Sequence, residues 1–116
     1  MGRRKPLTKA EIEGSLLFDM LSDHVGVEAD ELVDEVWAQS KDKRRRFTKK
    51  MRTAIYTRDK GNCFYCGTWQ EQSARFHLDH VIPHSRNGRS VVLNGVIACA
   101  KCNLRKSDRY LLTELR

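Results

Sequence analysis

Two pairs of cysteines, each with the spacing Cys-x-x-Cys, constrain this chain more than any other feature. They are Cys63 with Cys66 and Cys99 with Cys102, and the sequence contains no other cysteine. Each pair offers two thiolates to one ion, and two pairs complete the tetrahedral coordination of structural zinc sites. We therefore predict one zinc ion bound by four thiolates. Such a site has no open coordination position, so any catalysis must come from residues between the pairs.

The length and composition of the chain restrict the class of protein. Its 116 residues suffice for one domain with a short appendage. No apolar run approaches the ~20 residues of a membrane span. The basic, polar N-terminus also lacks the apolar stretch of a secretory signal. We expect a cytoplasmic protein with no membrane partner, in which reducing conditions favour metal ligation over disulfides.

The net charge of +7 is divided unevenly along the chain. Residues 11–35 include nine acidic residues and neither Lys nor Arg, whereas residues 36–116 include eighteen basic and six acidic residues, a net +12. A basic region of this density indicates a polyanionic partner, and we expect nucleic acid. Surface charge that only keeps the protein soluble is the alternative.

Helices are predicted before the first cysteine pair. Apolar residues recur at helical spacing over about residues 9–22 and 28–39, and we name this pair of helices the acidic hairpin. It either stabilises the domain as a cap or binds a protein partner. A third helix is predicted over about 47–60. We divide the chain into a helical N-terminal extension with a basic linker, residues 1–46, and a second domain, residues 47–116.

A dense run of cations joins these two parts. Like charges at this spacing repel one another unless phosphates or acids neutralise them. We expect phosphate contact, with an exposed linker or pairing with the acidic hairpin as alternatives. The cations that we assign to nucleic-acid binding here are Arg44, Arg45, Arg46, Lys49 and Lys50.

The segment between the cysteine pairs predicts a strand, a loop and a second strand. The first strand is expected over residues 74–80, before Pro83, and the second over residues 96–98. A helix is expected from Asn103 to about Leu111.

Four groups of residues in this region resemble the HNH endonucleases, also called ββα-metal nucleases. They are Cys63-x-x-Cys66-Gly67, Leu78-Asp79-His80-Val81-Ile82-Pro83, Asn94, and Ala98-Cys99-x-x-Cys102-Asn103-x-x-Lys106. The resemblance covers about residues 50–110 and includes the zinc knuckles of one subfamily. It implies an α+β fold: a small ββα-metal core stapled by a four-cysteine zinc site and preceded by a helical hairpin.

The resemblance also implies roles for individual residues. His80 matches the general base that activates water, and Asn94 matches the residue that braces the loop and orients that base. Asn103 stands where many members have His, and with Asp79 it matches the ligands of one catalytic Mg²⁺ or Mn²⁺. The implied activity is metal-dependent hydrolysis of DNA phosphodiester bonds, by nicking or double-strand cleavage, and the expected substrate is double-stranded DNA.

Elementary chemistry agrees with these implied roles. A phosphodiester is anionic, so a nuclease must neutralise charge and deliver a nucleophile. We expect Arg86, Arg89, Arg105 and Lys106 to hold the DNA backbone. One difficulty is that neighbours in a strand face opposite sides, so Asp79 and His80 should diverge.

Two other functions fit the same residues. One is a zinc-stabilised module that binds DNA without cutting it, and the other is a nuclease component of a larger phage packaging or restriction complex.

Overall fold

The computed structural model of the protein describes residues 5–72 and 76–111. Its helices are α1 (Lys9–Glu13), α2 (Leu16–Val25), α3 (Ala29–Val36), α4 (Lys49–Asp59) and α5 (Ala100–Lys106), and its strands are β1 (His77–His80) and β2 (Gly95–Ala98). Short 3₁₀ turns lie at His84–Arg86 and Val92–Asn94. The predicted α+β class and the helical N-terminal region are confirmed. None of the helices in the described residues is long and apolar enough to cross a membrane.

The first predicted helix is in fact two helices. Thr8 and Glu11 form a reciprocal cap at the start of α1, since each side chain accepts the backbone N–H of the other. Ser15 is extended and accepts the N–H of Leu17, so it begins α2. The prediction of one helix over 9–22 was wrong because serine is a better cap than an interior helical residue.

The third helix is shorter than the predicted range of 28–39. It ends at Val36 because Trp37 is extended and pairs with Gly88 in an isolated antiparallel bridge. The carbonyl of Val36 then accepts the N–H of Arg89 at 2.8 Å. The end of α3 is therefore attached to the loop that follows β1.

The two strands form an antiparallel pair. His77 lies opposite Ala98, and His80 lies opposite Gly95. The strand begins at His77, and residues 74 and 75 of the predicted strand lie outside the described residues.

Helix α5 begins and ends earlier than predicted. Its first turn is part of the second cysteine pair, because the Sγ of Cys99 accepts the N–H of Cys102. The helix ends at Lys106, since Ser107 adopts a positive φ of 48°. The prediction of a helix from Asn103 to Leu111 was therefore wrong at both ends.

A single apolar cluster joins the N-terminal helices to the strands. Its buried members include Phe18, Leu21 and Val33 from the helices and Ile82 and Val96 from the region of the strands. The acidic hairpin thus packs on the rest of the protein. The boundary between residues 46 and 47 stays a prediction, and this cluster spans it.

A buried carboxylate also connects these parts. Asp59, at the end of α4, accepts from His24 of α2 at 2.7 Å and from the backbone N–H of Ile97 in β2 at 3.2 Å. Arg58 donates to the same carboxylate and to the carbonyl of Gly95. This network fixes α2 and α4 against β2.

Candidate active site and metal centre

The four cysteines converge on one point. Their Sγ atoms all lie within 4.8 Å of one another. The first pair turns at Gly67, whose positive φ of 83° is favourable for glycine, and the second pair lies at the start of α5. Four thiolates at this spacing form a site for a metal ion, consistent with structural zinc.

His80 lies at the end of β1 with its ring held on two sides. The ring of Phe47 stacks on it at 4.3 Å between centroids. Its Nε2 lies 2.8 Å from the Oγ of Ser90. The pKa of His80 is lowered to about 4, chiefly because burial disfavours the charged ring and in smaller part because of electrostatic interactions with His84 and the cation of Lys106. The imidazole is therefore neutral near pH 7 and able to accept a proton.

Asp79 is buried and pairs with a buried cation. The Nζ of Lys106 lies 3.1 Å from its Oδ2, and the hydroxyl of Tyr65 donates to the same oxygen. Burial raises the pKa of Asp79, and the charge of Lys106 and the Tyr65 hydrogen bond oppose that rise. Within the described residues, the other carboxylate oxygen, Oδ1, has no hydrogen-bond partner.

Asp79, His80 and Asn103 line one cleft, which we name the Asp79 cleft. Its volume is about 290 Å³, and the His84 turn and Asp108 complete its wall. Asn103 lies in α5 and is half-buried. The end of β1 therefore places two neighbouring residues at the same cleft, although side chains alternate along a regular strand.

Asn94 closes the loop between the two strands. It is fully buried, and its Oδ1 accepts the N–H of Ile82 at 2.9 Å. Its Nδ2 donates to the carbonyls of Ile82 and Arg89, at 3.0 and 2.9 Å. Gly88 packs so closely that a Cβ there would lie 1.7 Å from the carbonyl oxygen of Ile82. This is the arrangement that a loop-bracing residue requires.

Most of the cations assigned to DNA are accessible. Arg45 lines the Asp79 cleft, and together with Arg46 it lines an adjoining depression beside His80. Arg89 is partly exposed. The exposed members are Arg44, Arg45, Arg46, Lys49, Lys50 and Arg105.

Two of the predicted DNA contacts are instead interior residues. Arg86 is 4% exposed, and its Nε donates to the carbonyl of Lys5 at 2.9 Å. Lys106 is 3% exposed and donates to the carbonyl of His80 as well as to Asp79. Because both side chains are buried and bonded within the protein, we exclude them from the surface proposed for DNA.

Three residues of the site have no signal in the sequence. Phe47 and Ser90 contact His80, and Tyr65 contacts Asp79, from distant positions in the chain. Only the fold brings them together, and Tyr65 resembles an ordinary packing residue of a cysteine knuckle.

Comparison with known proteins agrees with the resemblance seen in the sequence. A family model described as HNH endonuclease matches residues 63–109, a range that includes both cysteine pairs, β1, β2 and α5. Neither curated proteins nor solved structures gave a match. The family match confirms the resemblance and supports a nuclease-type function acting on nucleic acid.

Proposed function

From this HNH segment we propose that the protein is a metal-dependent endonuclease that hydrolyses phosphodiester bonds of double-stranded DNA. One observation carries the proposal: Asp79, His80 and Asn103 line a single cleft inside the matched segment. The family implies a nucleic acid, and the basic surface beside the cleft favours an extended polyanion.

The role that we propose for His80 is that of general base. Its neutral imidazole accepts a proton from a water molecule as the water oxygen forms a bond to phosphorus. The bond from phosphorus to the 3′ oxygen breaks in the same displacement. The products are a 5′-phosphate and, once the leaving oxygen is protonated, a 3′-hydroxyl.

Asp79 and Asn103 are the proposed ligands of one Mg²⁺ or Mn²⁺. The donor chemistry fits, because Asp79 and Asn103 line one cleft and their side chains offer hard oxygens, one from a carboxylate and one from an amide. When bound, such an ion neutralises charge on the phosphate and the leaving oxygen. Lys106 and Tyr65 both use Oδ2, so they hold the carboxylate without occupying Oδ1.

The other metal site is proposed to be structural. Four thiolates leave no open coordination position, so a zinc ion there holds the two knuckles, β1, β2 and α5 together and takes no part in cleavage. The exposed cations, Arg45 first among them because it lines the cleft, are proposed to contact DNA phosphates.

For the acidic hairpin we propose a docking surface for a basic protein partner within a larger DNA-processing complex. All nine of its carboxylates are exposed, although its apolar side is buried against the domain. A polylysine peptide should bind the protein, and the binding should weaken when Asp30, Glu31 and Asp34 are changed to the amides. Unchanged binding by the amide variant would contradict this use of the surface.

A plasmid-nicking assay tests the proposed nuclease function. Zinc-loaded protein freed of other divalent ions is mixed with supercoiled DNA, and Mg²⁺ or Mn²⁺ is then added. The wild type should nick only after this addition, and His80→Ala should lower the rate about 10²–10⁴-fold with zinc content and DNA affinity retained. His77→Ala is the matched control, because His77 is exposed on the same strand.

Two results would contradict the proposal. Equal cutting by the wild type and His80→Ala would remove His80 from the mechanism. A wild type that binds DNA but never cuts it, with either ion, would favour the non-cleaving DNA-binding module.

A further inference from the structure

The ring of His80 is enclosed by a segment from outside the matched family region. This segment, residues 42–47, is named the clamp segment. Phe47 covers one face of the ring, with an angle of 24° between the ring planes. At the ring edge, the hydroxyl of Ser90 lies between the Nε2 of His80 and the backbone carbonyl of Arg44, at 2.8 and 2.6 Å.

The single proton of the Ser90 hydroxyl determines the direction of these bonds. The carbonyls of Arg44 and Arg45, at 2.6 and 3.2 Å, only accept hydrogen bonds, so the hydroxyl donates to them. The remaining contact, at Nε2 of His80, then requires Nε2 to carry the proton and donate. A neutral ring protonated at Nε2 has its free lone pair on Nδ1.

Asp42 ties the clamp segment to the same serine. Its carboxylate accepts the N–H of Ser90 and the N–H of Arg44, both at 3.0 Å. Its carbonyl accepts from the Nε2 of His84 at 2.8 Å. The Ser90 hydrogen bond lowers the pKa of the Asp42 carboxyl, which keeps it ionised as an acceptor. Ser90 itself is 1% exposed, so water does not compete for its hydroxyl.

We infer that Ser90 is a positioning residue that holds His80 in the Nε2–H tautomer, and that the clamp segment acts on His80 through Ser90 and Phe47. The inference rests on the proposed role of His80 as general base, and it assigns the proton-accepting atom to Nδ1. The clamp segment also carries Arg44, Arg45 and Arg46. Contact of these cations with DNA phosphates would therefore act on the backbone of the clamp segment, which also orients the proposed general base, His80.

Nuclear magnetic resonance of ¹⁵N-labelled histidine tests the tautomer directly in the zinc-loaded protein. At pH 7 the wild type should show a pyrrole-type Nε2 and a pyridine-type Nδ1 for His80, with His80→Gln identifying the signals. Ser90→Ala should move both nitrogens toward the averaged values of a tautomer mixture. Ser40→Ala is the matched control, because Ser40 is exposed just before the clamp segment, and it should leave the signals unchanged.

A second variant keeps the test decisive if Ser90→Ala does not fold. Asp42→Ala removes the acceptor for the N–H of Ser90 at a partly exposed position and leaves the serine hydroxyl in place. Asp42→Ala should move the His80 nitrogen signals toward the averaged values of a tautomer mixture, as Ser90→Ala does. A protonated Nδ1 in the wild type, or unchanged His80 signals in the folded variants, would overturn the inference.

Cleavage rates give the functional arm of the test. With saturating DNA, Ser90→Ala should cut about tenfold more slowly than the wild type at unchanged DNA affinity, because the base is less often in its competent form. A rate equal to that of the wild type would overturn the positioning role. If the wild type does not cut at all, the proposed function fails, and the resonance signals still decide whether Ser90 sets the tautomer.

Discussion

The buried ion pair of Asp79 and Lys106 connects the stability of the fold with the proposed chemistry of the cleft. Both side chains are almost fully buried, and each is the other's nearest counter-charge at 3.1 Å. Burial raises the pKa of the Asp79 carboxyl and lowers that of the Lys106 amine, and each charge opposes the shift of its partner. Lys106 therefore favours the ionised form of the buried Asp79 carboxylate, which is the proposed metal ligand.

Replacement of Lys106 by Met should destabilise the protein by about 3–5 kcal/mol, because it leaves a buried carboxylate without its cation. Urea denaturation measures this free energy of unfolding. Lys101→Met is the matched control on the same helix, since Lys101 is exposed and should change stability little. The double variant Asp79→Asn with Lys106→Met should regain part of the loss. Equal stability of Lys106→Met and the control would contradict the buried pair.

The resemblance to the HNH endonucleases identified part of the candidate site without any structure. It implied roles for Asp79, His80, Asn94 and Asn103, and three of these residues line one cleft. Lys106 was expected to be a surface cation because nothing local in the sequence signals its burial against Asp79. Such burial depends on how α5 packs on β1, which the local sequence does not determine.

At the scale of elements, the cysteine pairs connect the parts of the site. Cys63 and Cys66 follow α4, and Cys99 and Cys102 join β2 to α5, so an ion bound by all four would connect the segment after α4 to the end of β2 and the start of α5. The elements themselves were predicted in the right order, but helix ends depended on capping groups. The break at Ser15, for example, follows from one side-chain hydrogen bond that helical spacing does not reveal.

Loss of one thiolate should weaken metal binding and the fold together. Cys66 is exposed, so Cys66→Ala leaves no cavity and isolates the effect of ligation. We expect Cys66→Ala to lose the bound zinc and the cooperative thermal transition. Cys66→His should keep both, because imidazole is also a zinc ligand. Zinc content and melting curves measure the two effects.

A Cys66→Ala protein that retains one zinc ion and melts like the wild type would contradict a structural role for the cluster.

At the scale of the whole molecule, charge divides the surface. The acidic residues of α1, α2 and α3 are exposed, whereas the exposed Arg45 lines the Asp79 cleft and the exposed Arg46 lines the depression beside it. The distribution of charged residues along the sequence predicted this asymmetry, but it did not show that the side chain of Arg86 is buried. A polyanion is repelled by the first surface and attracted by the second, so the charge pattern favours the proposed approach of DNA to the cleft.

The double variant Arg45→Ala with Arg46→Ala should weaken DNA binding and make it less sensitive to salt. Each lost phosphate contact should reduce the slope of log K against log salt by about one unit. Lys9→Ala is the control, since Lys9 pairs with Asp34 in the acidic hairpin. Fluorescence anisotropy at several salt concentrations gives the slopes, and identical slopes for the double variant and the wild type would contradict the proposed surface.

The central claim is that the imidazole of His80 takes the proton of the attacking water, and chemical rescue tests it most directly. The measurement is the rate of plasmid nicking by His80→Gly in Mg²⁺ or Mn²⁺, with and without added imidazole, beside the wild type. We expect no detectable nicking by the variant alone and a rate that rises with imidazole concentration, because the free base occupies the space left by the side chain. Nicking by His80→Gly at the wild-type rate without imidazole would contradict the claim.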